Sequence, residues 1–476
     1  MKTSLPFLVA ATIFAASPAR AQSTTFEQTL ERELGGKGLT AEHVARRATS
    51  TSFDVAAKRA ELSAAAAEVD RALAGYIPRV NLSARYTRLS DSGSGDAGSI
   101  VVAPGSPPGP IAPGAPLVNA PLSFESLQNQ YVFQANLTVP VSDYFTRTRD
   151  RYGAARESRE SARANSASEK RRVATDAKVA YYTWVRAKLG TIVAAQSLEQ
   201  TKGHLADAKA ALEAGSASQA DLLRVESQVA NSELLLEKSK NLETLALEQL
   251  KVAMHDTGDV TYAVGEDVRI ELVPIARGNT KALWQRAMER RPELESLRRA
   301  ERAQRRSAAA ERAGYLPRLD LFANAYYSNP NSREFPQRDE FSSSWDFGAT
   351  LSWTPSDIPG ASGGSRAAEA RAAAIAAQAR SAKDKIRLEV VKAVQDAREQ
   401  DVAVKTTQRG LTSAEESYRV RRILFQNGKA TSTELLDAET DLTRARLDAL
   451  DARVDSRVAR VRLAYALGDD LGKTSR

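Results

Sequence analysis

The chain repeats itself, and that repetition constrains its fold more than any other feature. Ala74-Gly75-Tyr76-Ile77-Pro78-Arg79-Val80 recurs 239 residues later as Ala313-Gly314-Tyr315-Leu316-Pro317-Arg318-Leu319. Gly215-Ser216-Ala217-Ser218-Gln219-Ala220-Asp221-Leu222-Leu223 matches Gly428-Lys429-Ala430-Thr431-Ser432-Thr433-Glu434-Leu435-Leu436 at an offset of 213, and Glu226 and Glu439 extend the match. One Gly-Tyr-x-Pro is chance; two motifs, each present twice in the same order, mark a duplication. The offsets differ by 26 residues, so copy one carries an insertion. Gly, Pro and Ser crowd residues 91–121, which are expected to form a flexible exposed loop. Copy two has only a short polar link there, over 328–344.

The segments beside each loop alternate with period two, as half-buried strands do. Val80, Leu82, Ala84 and Tyr86 share one face against Asn81, Ser83, Arg85 and Thr87; Tyr131, Phe133, Ala135, Leu137 and Val139 oppose Gln134, Asn136 and Thr138. In copy two, Leu319, Leu321, Ala323 and Ala325 share a face, though Phe322 and Tyr326 blur the polar side. Trp345, Phe347, Ala349, Leu351 and Trp353 alternate cleanly with Asp346, Gly348, Thr350 and Ser352. Strands of about nine or ten residues suit a tilted membrane crossing, with Trp345 and Trp353 near its two interfaces. The same pattern also fits a soluble hairpin lying on a helical core. If the strands do cross lipid, four cannot close a barrel, and open edges are not tolerated there, so several chains are required.

Everything else reads as helix. Pro78 and Pro317 precede the outgoing strands and Pro140 and Pro355 follow the returning ones, breaking each junction. Long Ala-, Arg-, Glu- and Leu-rich stretches run over about 150–213, 218–254, 365–426 and 432–467; at ~1.5 Å per residue the longest reach about 90 Å. The last helix carries two apolar stripes. One is Leu435, Ala438, Leu442, Ala445, Ala449, Ala452, Ala459, Leu463 and Ala466, broken by Ser456; the other is Leu447, Leu450, Val454, Val458, Val461 and Tyr465. Two stripes mean neighbours on two sides, as in a wall of helices or in a solid antiparallel bundle.

Composition excludes most chemistry. The chain has no Cys, and His43, His204 and His255 lie far apart, so thiol and zinc chemistry have no ligand set and no cofactor is expected. The 67 basic and 59 acidic residues are interspersed, as on a solvated helical surface, which argues against nucleic acid as a partner. No P-loop, Gly-x-Ser-x-Gly or His-Glu-x-x-His motif points to an enzyme. An apolar run over Leu5 to Ala16, then Ala19-Arg20-Ala21, reads as a cleaved secretory leader at 1–21. A channel or an exported coiled-coil adaptor both fit so far; an adaptor needs neither paired alternating strands nor two copies of the unit.

The doubled Gly-Tyr-x-Pro-Arg before a strand and the doubled Gly-x-x-[Ser/Thr]-x-x-[Asp/Glu]-Leu-Leu before a helix resemble the TolC-like outer membrane efflux proteins, over nearly the whole chain after the leader. The resemblance implies a mostly α fold with a small transmembrane β part. Its first repeat would span 22–254 with strands near 80–89 and 131–139, its inter-repeat segment 255–279, and its second repeat 280–467 with strands near 319–327 and 345–353; a tail would follow at 468–476. A homotrimer would form a 12-stranded β-barrel continued by an α-helical barrel in the periplasm. The implied function is a passive outer-membrane conduit of a tripartite efflux pump or type I secretion system. The implied partners are a periplasmic adaptor (membrane fusion) protein, an inner-membrane transporter of the RND, ABC or MFS type, and outer-membrane lipid.

The resemblance also implies residue roles. Gly215, Ser218, Gly428 and Thr431 correspond to periplasmic tips where adaptors dock; as plain helix-turn residues, Gly ends one helix and Ser or Thr caps the next. Asp221, Glu434 and Asp437 correspond to lumen-facing positions near the closed entrance, which three-fold symmetry would make into acidic rings. Acids also suit any helix N-terminus, a reading that fits Asp221 and Glu434 as well and Asp437 less. The family's best-known member latches this entrance with a Tyr and an Arg, where this chain has Phe425 and Ala430.

Overall fold

The computed structural model describes residues 28–469 except 35, 37, 91–94, 106–108, 125–126, 216, 259, 261 and 276–278. The leader expected at 1–21 and most of the expected tail fall outside the described residues. The elements run α1 (Ala41–Thr51), α2 (Phe53–Ala74), β1 (Arg79–Arg88), β2 (Gly95–Val102), β3 (Val118–Phe124), β4 (Asn129–Val139), α3 (Val141–Phe145), α4 (Arg147–Glu213) and α5 (Gln219–Met254). Then follow α6 (Thr280–Arg290), α7 (Pro292–Arg312), β5 (Arg318–Asn329), β6 (Ser342–Ser352), α8 (Ile358–Gln426) and α9 (Ser432–Leu467). The chain divides into two compact units: residues 63–161 with 297–377, and the described residues up to 62, 162–296 and from 378 onward.

The first unit holds an antiparallel sheet of order β1-β4-β5-β6, so the two repeats' hairpins join through β4 and β5. Register keeps the two faces chemically distinct. Val80, Leu137, Ala323 and Phe347 form one cross-strand row, and Asn81, Asn136, Asn324 and Asp346 form the next on the opposite face. That polar row is hydrogen-bonded: Asn136 Nδ2 donates to Asn324 Oδ1 at 2.5 Å, and Asn324 Nδ2 to Asp346 Oδ1 at 2.8 Å. Arg333 pairs with Asp346 and lies 5.2 Å over the Tyr326 ring. Phe322, the residue that blurred the polar pattern, fills the space above Gly348, where an added Cβ would lie 2.8 Å from its ring.

The loop expected over 91–121 differs from the reading of the sequence. β2 and β3 pair within it as a separate two-stranded sheet, with a register shift between Asp96 and Ser99. Its Gly, Pro and Ser content hides the alternation that marks the other strands.

The Ala-rich composition favours helix strongly, and α4 and α8 run for 67 and 69 residues without a break. The two stripes of α9 pack into different cores. Leu450, Val454, Val458 and Val461 join Tyr181, Trp184, Val185 and Leu189 of α4 and Val44 and Ala48 of α1. Ala459, Leu463 and Ala466 join Ile386, Val390 and Val394 of α8 with Ala287 of α6. The end of α9 is clamped by Arg291, which is buried, pairs with Glu389 at 3.2 and 3.1 Å and donates to the Tyr465 carbonyl at 3.2 Å. A short parallel bridge, Leu39 to Val264, ties the inter-repeat segment to the start of α1, where the Glu266 carboxylate accepts the Ala41 N–H at 2.7 Å. Among the described residues, no helix is long and apolar enough to cross a membrane.

Candidate functional site

The two matching Gly-x-x-[Ser/Thr] motifs fold into the same turn. After α4, Gly215 takes φ +73° and donates its N–H to Leu212 O at 2.9 Å; after α8, Gly428 takes φ +68° and donates to Phe425 O at 2.9 Å. Lys429 N–H closes the second turn on Leu424 O at 2.8 Å. A left-handed residue ends the helix because it turns the chain while satisfying the last carbonyls, and Gly takes that conformation without a steric cost. Ser218 and Thr431 then cap α5 and α9, each in a reciprocal box with the acid three residues on. Ser218 Oγ accepts from Asp221 N–H at 3.2 Å while Asp221 Oδ2 accepts from Ser218 N–H at 3.1 Å. Thr431 Oγ1 accepts from Glu434 N–H at 3.3 Å while Glu434 Oε2 accepts from Thr431 N–H at 2.9 Å.

The three candidate acids therefore separate. The Ser218 hydroxyl and amide hold the Asp221 carboxyl below the usual carboxylate range. The Thr431 amide, then Arg421, do the same for Glu434. Both are engaged as helix caps. Asp437 is exposed and makes no hydrogen bond or ion pair among the described residues. The turns of the two repeats also touch: Arg224 of α5 hydrogen-bonds Thr433 Oγ1 of α9, and Leu222, Val225 and Leu436 share a small apolar cluster with Ala208 of α4.

Phe425 is half-buried and meets His204 edge-on, ring centroids 5.1 Å apart. His204 is itself buried on α4, with Ser432 Oγ 3.5 Å from Nε2 and Glu439 Oε2 3.5 Å from Nδ1. Reading the sequence missed this pairing. His204 and Glu439 are 235 positions apart in different repeats, and the only hint was that Glu439 extends the repeated motif.

Trp345 and Trp353 fall in the first unit, on the apolar side of the sheet or just past its end, and are 71% and 57% exposed. Val80, Leu82, Phe133, Phe347 and Leu351 are exposed on the same side. Trp345 stacks on Phe347 at 5.9 Å, and Trp353 Nε1 donates to Tyr315 O at 3.3 Å, which anchors it to the second Gly-Tyr-x-Pro motif. Among the described residues, no group of three His, Cys, Asp or Glu side chains is placed to hold a metal ion.

The model of one protein family, described as outer membrane efflux protein, matches residues 44–254 and 283–469. Among solved structures, CusC superposes with a TM-score of 0.73 at 16% identity, covering 92% of this chain and 94% of that one. The CmeC outer membrane channel of Campylobacter jejuni gives 0.70 at 14%, covering 99% and 96%. The open state of the MtrE outer membrane channel of Neisseria gonorrhoeae gives 0.70 at 15%, covering 90% and 89%. Compared with curated protein sequences, the chain has no match.

Proposed function

The chain belongs to the outer membrane efflux protein family, and from that premise we propose that three copies close one passive conduit across the outer membrane. The observation that carries this is the sheet. It has one apolar face left exposed by its own chain, one hydrogen-bonded polar face, and two free edges, β1 and β6. In lipid an apolar face is stabilised but an open edge is not, because its unpaired N–H and C=O groups have no water. Pairing β6 of one copy with β1 of the next removes every edge at twelve strands. The Asn81–Asn136–Asn324–Asp346 row then lines the lumen, while Trp345 and Trp353 rest at the two interfaces of the membrane.

In this reading residues 22–254 and 280–467 are the two repeats, linked by 255–279, and their long helices continue the conduit into the periplasm. The turns at Gly215–Ser218 and Gly428–Thr431 receive a periplasmic adaptor, which couples the channel to an inner-membrane transporter of the RND, ABC or MFS type, for efflux or for type I secretion. Asp437, without a hydrogen bond or ion pair among the described residues, supplies the lumenal charge at the entrance. Asp221 and Glu434 hold the turns that carry it, and Phe425, edge-on to His204, stands in place of a latch residue. The chain conducts and does not catalyse.

Fractionation tests the reading. The protein is expected in outer membranes as an oligomer that resists mild detergent and dissociates on heating. Recovery as a soluble periplasmic monomer would contradict it.

A further inference from the structure

The polar face of the sheet is covered at one end by its own chain. Strand alternation and register put Asn324, Tyr326 and Ser328 of β5 and Ser342, Ser344 and Asp346 of β6 on that face. On the opposite face of β6, Trp345 and Phe347 stand exposed. At the tip of the hairpin the polar face shows the reverse: Ser328 is buried, and the Ser342 and Ser344 hydroxyl oxygens are shut off from solvent. Small polar side chains at a hairpin tip are ordinarily solvated, so their burial marks a segment lying over them.

That segment is the loop joining β5 to β6, residues 330–341. Asn331, itself buried, opens it with a tight turn: its Oδ1 accepts the Arg333 N–H at 3.1 Å, and its carbonyl accepts the Glu334 N–H at 3.1 Å. The turn sends Arg333 back over the sheet. Its guanidinium pairs with Asp346, donates from Nη1 to the Trp345 carbonyl at 2.9 Å and lies 5.2 Å over the Tyr326 ring. Tyr326 is the register partner of Ser344, so a group over the one also covers the other. A single exposed ion pair would hold a loop weakly, but a planar guanidinium with an anion, a carbonyl and a ring as partners is fixed in place. At the far end of the loop, Phe341 stacks on Tyr327 at 5.1 Å. Surface loops are ordinarily mobile; this one is fastened at its end and across the polar face.

The consequence rests on the reading of the sheet as one third of a closed barrel, in which the polar face is the lumen and the hairpin tips its outer mouth. We propose that the Arg333 loops of three copies form a constriction at that mouth, which admits small solutes and retards bulky ones. Arg333 and Asp346 are positioning residues: paired, they hold the loop inward, and parted, they let it swing clear.

Thiol labelling from outside intact cells tests this. The chain has no Cys, and Thr350→Cys puts one thiol on the polar face, four residues beyond Asp346 and about 13 Å deeper along β6. A small charged methanethiosulfonate should label it quickly, and a maleimide carrying a bulky polyethylene glycol at least tenfold more slowly. Adding Arg333→Gln or Asp346→Asn should speed the bulky reagent at least tenfold and leave the small one unchanged; the two variants approach the tie from opposite sides, so either reads it if the other fails to assemble. Exchanging the pair, Arg333→Asp with Asp346→Arg, should restore slow bulky labelling, which a general loosening of the fold would not. Bulky labelling as fast as small with the loop intact, or unchanged by both single variants, would overturn the constriction and leave the channel reading standing. Failure of the small reagent to label Thr350→Cys at all would overturn both.

Discussion

Arg421 Nη1 donates to Glu434 Oε1 across 2.6 Å, fastening the end of α8 to the first turn of α9. The same carboxylate caps α9 through the Thr431 amide, so one side chain holds both helices of the turn. Arg421→Ala should free the end of α8 and raise single-channel conductance in planar bilayers, with Arg421→Lys in between. A conductance unchanged by either variant would place the closing contacts elsewhere.

Acid should act on the same tie. The folded-state carboxyl of Glu434 is held below its ordinary value, first by the Thr431 amide and then by Arg421, and Asp221 is held down in the same way by Ser218. A depressed folded value means the contribution is fully present above the ordinary carboxylate range and is lost as pH falls through the lowered value. Conductance should therefore stay constant at neutral pH and rise in that acid window. Glu434→Gln should flatten the rise, and a wild-type profile flat throughout would count against the tie.

The two faces of β6 should respond oppositely to charge. Leu351 is 71% exposed on the apolar face, and Thr350 lies opposite Asp320 on the polar one. Leu351→Arg should impair assembly, though two residues from the Trp353 interface it costs less than the about 2–4 kcal/mol of the midplane. Thr350→Arg should assemble and alter conduction. Heat-modifiable oligomer on gels checks both, and equal tolerance would reverse the face assignment.

Two backbones nearly touch at the start of α1. A Cβ added at Gly265 would lie 2.4 Å from Gly38 O, beside the Leu39–Val264 bridge. Gly265→Ala must push these strands apart, and overpacking of this kind costs about 1–3 kcal/mol. A Tm lower by several degrees is expected from circular dichroism; an unchanged Tm would mean the bridge contributes little.

Much of this fold was legible because its periodicities are long and its breaks are sharp. The duplicated Gly-Tyr-x-Pro and Gly-x-x-[Ser/Thr] motifs marked the junctions and turns, and the two stripes of α9 do meet different partners, α4 and α1 on one side and α8 and α6 on the other. The strands β2 and β3 were not legible, since Gly95, Gly98 and Pro121 interrupt any alternation. Turn chemistry pointed to Ser218 and Thr431 as caps, and position along the helix already set Asp437 apart from Asp221 and Glu434, but that Asp437 makes no hydrogen bond or ion pair among the described residues is visible only in the structure. His204 and Glu439 were invisible because only tertiary packing joins them, and a lone buried polar residue leaves no periodic trace.

The central claim is that β6 of one copy pairs with β1 of the next until three copies close. The chain has no Cys, so paired cysteines scanned along these two edges, from Asn81 to Thr87 and from Ser344 to Thr350, report that contact directly. Oxidation in outer membranes followed by non-reducing denaturing gels should give covalent species of two and three chains and none larger. Monomers alone at every pair, or a ladder continuing past three, would contradict the account.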